Sequence, residues 1–552
     1  MAERTGGEAL IAALKTNDVD TVFCVPGESY LAALDALYDA RNQIRTITCR
    51  QEGGAAYMAE AYAKATGRPG ILFVTRGPGA CHATSGVHTA YQDSTPMVVL
   101  IGQVARDQEY REAFQELDYR QFYGPLCKWV AQIESADRVP ELVNQAFQRA
   151  MSGRPGPVAL ALPEDMLRDL TASPDAAPAI PVRPEIGEAN IAALREHLAH
   201  AERPMMIVGG GAWTDEACND IVAFAEANDL PTSASFRCQD RFDNSHKNYA
   251  GDTGLGGNPK LVERMKAADL VIVVGARLGE ITTGGYTLFD LPTPSQTLIH
   301  VHPDPDELGR VFQPSLPICA APGPFASAAK RMDAPKSDRG VWSQSARQEY
   351  LANLEPTPGL PNRLDMAEVM SVIRDVLPPD AILTTDAGNF SGWMHRYYVY
   401  HRFPSQLGAT NGSMGYGVPA AIAARLAYPD RPAVAFVGDG GSLMSGQEIA
   451  TAVHHGIDPV ILIINNGMYG TIRMHQERDF PTRTVGTSLT NPDFAAWAKS
   501  FGAFGETVQH TEEFQPAFER ALSAGKAAVL DLQIEPELIN TRTTLSAIRD
   551  KT

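Results

Sequence analysis

Gly438-Asp439-Gly440-Gly441-Ser442, followed by Asn465-Asn466-Gly467-Met468-Tyr469-Gly470, decides how this 552-residue chain is read. The apolar run 433–437 predicts a strand that delivers Asp439 to its carboxyl end, and 460–464 predicts a second that delivers Asn465-Asn466. Between them, Ser445-Gly446-Gln447-Glu448 has capping-box spacing for a helix that stops near Gly456, with Pro459 behind it. In such a strand–helix–strand unit both strand ends face one edge of a parallel sheet, where these folds bind ligands. Asp439 and Asn466, 27 residues apart, are therefore expected to meet across one crevice. A carboxylate, an amide oxygen and a backbone carbonyl are hard ligands for Mg²⁺ or Ca²⁺ and leave positions open to phosphate oxygens. Glycines 438, 440 and 441 let backbone N–H groups approach an anion. A plain strand-to-helix turn explains Gly-Asp-Gly alone; the Asn-Asn pair on the next strand argues against it.

Outward from this unit, short β-branched runs alternate with helical stretches from end to end, the rhythm of α/β domains. Near the start, 21–25, 44–49, 71–75, 97–101 and 158–162 predict strands, and 53–66 predicts an Ala-rich helix closed by Gly67. Pro, Ala, Asp and Ser dominate 170–188, which reads as a linker. Strands at 205–208, 270–274 and 297–301 follow, then a polar, Pro-rich separator over 333–363. Strands near 381–384, 433–437 and 460–464 belong to a third domain. The expected architecture is α/β, with three doubly wound parallel-sheet domains at 1–170, 188–333 and 360–540. The sequence does not show whether the first and third are duplicates.

Composition narrows the function. With 47 Lys plus Arg against 65 Asp plus Glu, the net charge is −18, which disfavours non-specific binding to nucleic acid or an anionic membrane. No apolar run approaches the ~20 residues of a membrane span, and residues 1–8 hold no hydrophobic signal core. Seven scattered cysteines without CxxC pairs argue against a disulfide framework or zinc site, and a cytoplasmic location is expected.

Gly-Asp-Gly, about 25 residues, then Asn-Asn resembles the signature of thiamine-diphosphate-dependent enzymes. The resemblance implies pyrimidine-binding, central and diphosphate-binding domains, in that order. It also implies that Asp439, Asn466 and the Met468 carbonyl hold Mg²⁺ against the cofactor's diphosphate, with Gly440, Gly441, Tyr469 and Gly470 around it. Loops matching Ala387-Gly388-Asn389 and Ser413-Met414-Gly415 would bind the diphosphate and aminopyrimidine. Met414 stands where the family keeps the bulky apolar residue that bends the cofactor.

Arg50-Gln51-Glu52-Gly53-Gly54 ends the second predicted strand and puts Glu52 at the mouth of a helix. An acidic residue there favours the helix dipole without further function. By resemblance, Glu52 is the activating glutamate that hydrogen-bonds the pyrimidine N1′. In this family it meets the diphosphate domain of another copy, so a homodimer or a dimer of dimers is implied.

Gly77-Pro78-Gly79-Ala80, Ala90-Tyr91-Gln92-Asp93, Gly102-Gln103-Val104, Ala113-Phe114-Gln115-Glu116, Gly153-Arg154-Pro155-Gly156-Pro157 and Asn491-Pro492-Asp493-Phe494 are most similar to acetolactate synthase large subunits. The implied activity joins a decarboxylated 2-keto acid to a second carbonyl compound, with Gln103, Phe114, Gln115 and Lys128 on the substrate side. Arg76 stands where relatives commonly have Ser; it either grips a substrate carboxylate or makes a structural ion pair. His475 replaces a Trp that shapes the acceptor pocket. His82 replaces Thr or Asn and reads either as a cofactor neighbour or as a satisfied loop histidine. In the central domain, Gly209-Gly210-Gly211 after the strand 205–208 is a nucleotide cue that a tight turn explains as well, while Gly275-Ala276-Arg277 resembles part of the flavin-binding segment of acetolactate synthases, from which Ile281 and His302 depart. FAD, an ADP-like nucleotide or an empty structural domain all stay open. Two rivals remain: a decarboxylase or carbon–carbon lyase of the same superfamily, and a non-catalytic cofactor-binding subunit.

Overall fold

The computed structural model describes residues 3–335, 339–358 and 363–551. The apolar runs become strands of three six-stranded parallel sheets. Gly70–Val74, Met97–Gln103 and Pro157–Pro163 bury every residue. Burial on both faces is why they appear in sequence as unbroken apolar runs rather than alternations.

With each sheet's strands numbered in chain order, the first sheet runs 2-1-3-4-6-5, from Arg45–Thr48 at one edge to Trp129–Gln132 at the other. The third sheet repeats that order, from Gln406–Gly408 to Phe504–Val508. The two domains thus share a topology that their sequences conceal. The central sheet runs 3-2-1-4-5-6, from Tyr249–Asp252 to Leu316–Cys319, and its order reverses between Pro204–Val208 and Leu270–Val274. The α/β class with three parallel sheets is therefore the architecture observed.

The chain forms two compact units. One comprises 1–182 together with 418–427 and 445–457; the other comprises 183–417, 428–444 and 458–552. Two features correct the expected punctuation. Within 170–188, Leu170–Thr171 pairs antiparallel with Arg4–Thr5 and ties off the first sheet's domain. The 333–363 separator contains a helix, Gly340–Asn353, that buries Ser343, Ala346 and Tyr350. Arg264 fastens it through Glu349 at 2.7 Å. Residues 336–338 and 359–362 of that stretch lie outside the described residues. Among the described residues, no helix is long and apolar enough to cross a membrane. All seven cysteines are free.

Candidate functional site

The third sheet assembles the cradle by register. Gly438 pairs with Ile464 on neighbouring parallel strands, so Asp439 and Asn465 leave the sheet side by side. Asp439 is buried, and its Oδ2 accepts from Gly467 N (2.9 Å) and Asn491 Nδ2 (2.8 Å). Burial pushes its carboxyl above the usual range, against the downward pull of Asn491 and the Gly440 and Gly467 amides. Asn491 Nδ2 also reaches Asn465 Oδ1 at 2.9 Å, and Asn465 Nδ2 donates to Asp531 at 2.9 Å. Asn466 Oδ1 accepts from Met468 N at 3.2 Å. Segment 487–489 pairs back: Tyr469 N donates to Thr487 O and Leu489 N to Gly467 O, both at 2.8 Å. Asn491 is the member whose role spacing did not reveal.

The donor set fits a hard divalent cation. Asp439 is a buried carboxylate whose hydrogen-bond donors are all uncharged, which leaves its charge to be neutralised by something else. Among the described residues, no three His, Cys, Asp or Glu side chains cluster as a metal cage. A cation here would thus have one carboxylate, the Asn466 amide and the Met468 carbonyl, with positions left for phosphate oxygens. Packing requires the glycines. A Cβ on Gly440 would lie 2.5 Å from the Tyr469 ring, and one on Gly441 would lie 2.2 Å from Asp386 Oδ2. Asp386, which the sequence did not flag, is buried and accepts from the Gly415 and Gly417 amides. It thereby holds the Ser413-Met414-Gly415 loop. Ala387 N donates to Ser413 O at 3.1 Å, joining that loop to Gly388-Asn389, and Met414 is half-buried. Asn389 is braced by Thr471, its N–H donating to Oγ1 at 3.0 Å. Gly388 adopts φ +154°, and a Cβ there would strike the Phe390 ring. Gly470 opens the helix Gly470–Asp479, which carries Thr471, Met474 and the half-buried His475.

The capping box expected at Ser445 and Glu448 does not form: Ser445 makes no side-chain cap, and a short 3₁₀ turn, Gly446–Glu448, intervenes before helix Ile449–His455. Glu448 is fully buried and turns to the backbone of Arg50 and Gln51 instead.

Glu52 is the first residue of helix Glu52–Thr66, whose N-cap Gln51 accepts from Gly54 N at 3.0 Å. Its carboxylate is buried, with Oε2 2.9 Å from His82 Nδ1. His82 sits on helix Pro78–Asp93 rather than in a loop, with its side chain 57% exposed. The sequence expected nothing of this pairing, because the partners lie 30 residues apart.

Other candidates are occupied by structural contacts. Arg76 is held at both ends, by Glu28 and Glu164 at 3.0 Å each, which is the ion-pair alternative rather than a free carboxylate clamp. Gln103 donates to Leu117 O and accepts from Val104 N. Lys128 Nζ donates to Arg149 O and Ser152 O at the end of helix Val139–Met151, so its cation serves a helix terminus. Gln115 adopts φ +65° and packs against Gly77, where a Cβ would lie 2.7 Å from Gln115 O. Phe114 beside it is exposed.

In the central domain the glycines serve packing. A Cβ on Gly209 would overlap Ser235 Oγ at 1.9 Å, and one on Gly210 would overlap Gly275 O at 2.0 Å. The buried Trp213 donates to Gly209 O at 2.8 Å and lies against Gly275. The Trp213 indole thus lies between the ends of the two strands where the order reverses. Beside it is a cavity of about 110 Å³ lined by Arg277, Tyr286, His300, Glu307, Arg310 and Phe312. Burial lowers His300, and burial with His300 alongside brings His302 to about 4.

Parallel α/β domains, a buried carboxylate beside paired asparagines at adjacent strand ends, and a helix headed by a buried glutamate make up the candidate site of an α/β enzyme. The family models described as the thiamine pyrophosphate enzyme N-terminal TPP binding, central and C-terminal TPP binding domains match residues 4–122, 191–329 and 386–532. The acetolactate synthase large subunit of Parasynechococcus marenigrum is 32% identical over 96% of this chain and 87% of its own length. The acetolactate synthase isozyme 2 large subunit of Escherichia coli is 30% identical over 96% and 95%, and the probable acetolactate synthase large subunit of Methanocaldococcus jannaschii is 30% identical over 96% and 92%. The chain belongs to the thiamine pyrophosphate enzymes, in their acetolactate synthase-like branch.

Proposed function

We propose that this enzyme is a Mg²⁺- and thiamine-diphosphate-dependent carboligase that decarboxylates a 2-keto acid and joins the remainder to a second carbonyl compound. The observation that carries this is the pairing of Gly438 with Ile464, which brings Asp439 and Asn465-Asn466 to the ends of adjacent parallel strands, in a chain that also keeps Glu52 at the head of a helix. When bound, thiamine diphosphate supplies a nucleophilic carbon and an electron sink for decarboxylation. In our reading Asp439, Asn466 and the Met468 carbonyl hold Mg²⁺, and Gly388, Asn389, Ser413, Gly440, Gly441, Tyr469 and Gly470 surround the diphosphate. Met414 supports the ring junction, and Glu52 exchanges a hydrogen bond with the pyrimidine. The glutamate weighs against a binding-only subunit, which has no use for it.

The domain limits we assign are 1–170, 188–333 and 360–540, and the working unit is a homodimer or dimer of dimers in which Glu52 serves a neighbouring copy. Exposed apolar side chains support self-association: Tyr110 and Phe114 in one unit, Leu443, Met444 and Ile472 in the other. Free cysteines support a reducing, cytoplasmic setting. The Trp213 indole at the strand-order reversal weighs against FAD there, with an ADP-like nucleotide or an empty structural domain as the alternatives.

The test is turnover of pyruvate with and without cofactor and Mg²⁺, following CO₂ and acetolactate, and then a panel of larger 2-keto acids. Denaturing the purified protein and identifying released small molecules checks thiamine diphosphate and flavin together. No turnover of any 2-keto acid, or full turnover by Glu52→Gln, would refute the proposal. His475 favours a second reading, a decarboxylase or lyase, because a half-buried imidazole replaces an indole at the acceptor side. CO₂ release that is indifferent to an added aldehyde or keto acceptor would select it.

A further inference from the structure

Strand Arg45–Thr48 lies at the edge of its sheet, so alternate amides lack a neighbouring strand. Arg45 N and Cys49 N donate inward, to Asp20 O and Cys24 O at 2.8 Å each. Thr48 and Arg50, on the other parity, point outward. Side chains from 445–457 meet them: Thr48 N donates to His455 Nε2 at 3.1 Å, and Arg50 N lies 3.2 Å from both carboxylate oxygens of Glu448. Gln51 N donates to Glu448 Oε1 at 3.0 Å, and Thr451 Oγ1 donates to Oε2 at 2.6 Å. A buried carboxylate spent on two successive backbone amides fixes the turn from which Glu52 emerges. The fit is close on the far side too, since a Cβ on Gly54 would lie 2.5 Å from Glu448 Oε1.

We infer that Glu448 is a positioning residue that acts through the Arg50–Gln51 turn to aim Glu52. The inference rests on the assignment of Glu52 as the group that meets the cofactor, and it goes beyond that assignment by naming what aims it. Glu448 itself does not touch the reacting atoms. Its removal leaves the edge amides of Arg50 and Gln51 without an acceptor and the glutamate free to shift. A displacement of about 1 Å in a catalytic group costs about a hundredfold in rate.

The experiment has two arms. In the cofactor-free protein, hydrogen–deuterium exchange of residues 48–54 should rise at least tenfold in Glu448→Ala. In the holoenzyme, kcat should fall about a hundredfold in Glu448→Ala and about tenfold in Glu448→Gln, which keeps one acceptor oxygen. KM and the cofactor dissociation constant should stay within about threefold, because the diphosphate cradle is untouched. Gly54→Ala should reproduce the loss by displacing Glu448. The double variant Gly54→Ala/Glu448→Ala should be no worse than either single change, since the truncated side chain leaves room for the new methyl.

Unchanged kcat in Glu448→Ala would overturn the inference, whatever the exchange shows. So would losses that multiply in the double variant, or a Glu448→Ala protein that loses cofactor affinity and kcat together. Full turnover by Glu52→Gln would remove the role of Glu52 instead, while exchange at 48–54 would still report whether Glu448 holds the turn.

Discussion

Replacing Gly441 by Ala tests the cradle at its tightest point. The new Cβ would lie 2.2 Å from Asp386 Oδ2 and 3.5 Å from Gly415 N, against a short side chain already held by hydrogen bonds. Asp386 is buried and its oxygens are committed to the Gly415 amide at 2.9 Å and the Gly417 amide. To relieve the contact the carboxylate must retreat by about 1 Å, more than a 2.9 Å hydrogen bond tolerates. Losing one charge-assisted bond costs about 1.5–3 kcal/mol, and strain in a filled site adds about 1–3 kcal/mol. A total near 3 kcal/mol is expected, split between a lower urea midpoint of the cofactor-free protein and weaker cofactor binding. Since each 1.4 kcal/mol is tenfold, thiamine diphosphate affinity measured by calorimetry in Mg²⁺ should drop about tenfold or more. Gly187→Ala, with nothing within 4 Å of its Cβ, is the control and should change neither. If Gly441→Ala bound cofactor within twofold of the wild type and unfolded at the same urea concentration, the packing of Asp386 against helix Asp439–Ser445 would be refuted.

Asp439→Asn should abolish the Mg²⁺ dependence of cofactor binding while leaving the fold's circular dichroism intact; retained Mg²⁺ dependence would remove it from the ligand set. Glu477 is buried between Arg473 and Arg549, and the Arg549 hydrogen bonds pull its carboxyl down to about 2. A depressed carboxyl contributes stability that is present above the unfolded value near 4.3 and lost as pH falls toward 2. Glu477→Gln should therefore speed proteolysis of the C-terminal helix Leu545–Arg549 several-fold at pH 7, with the difference from wild type shrinking in acid. Asp252 has the opposite sign: burial raises it to about 7, so its contribution is full below the unfolded value near 3.9 and lost as pH rises through 7. Asp252→Asn should flatten that fall in unfolding free energy between about pH 4 and 7 in urea titrations; an unchanged slope would assign it to other groups.

The parts of the fold legible in sequence are those where burial leaves a local mark. Strands such as Ala433–Gly438 and Val460–Asn465 are central and buried, so they had to be apolar, and their loops had to carry the polar chemistry. Thr232–Ala234 and Gln406–Gly408 are equally buried but only three residues long. The polar atoms of Ser233 and Gln406 are satisfied by Met206 O and the Gln239 amide, contacts far away in the chain. Helix Gly340–Asn353 did leave a signal, Trp342, Ala346 and Tyr350 on one face, but the polar stretches beside it hid the pattern. At the site, Asp439 and Asn466 could be found because parallel-sheet topology converts their spacing into proximity. The partners of Arg76, 48 and 88 residues away, could not, since no local rule links positions so distant.

Ser445 and Glu448 show why a correct local pattern can still mislead. Their spacing satisfies a capping box, worth about 1 kcal/mol at a helix end. The same carboxylate, buried, can instead satisfy the amides of Arg50 and Gln51 and accept from Thr451. Each of those hydrogen bonds goes to a charged acceptor and contributes about 1.5–3 kcal/mol. The larger demand comes from an edge strand that has no seventh neighbour, and it wins. The position of Glu52 follows from that competition: the first sheet ends at Arg45–Thr48, so the turn that carries the glutamate borrows its acceptors from a helix some 400 residues further along the chain.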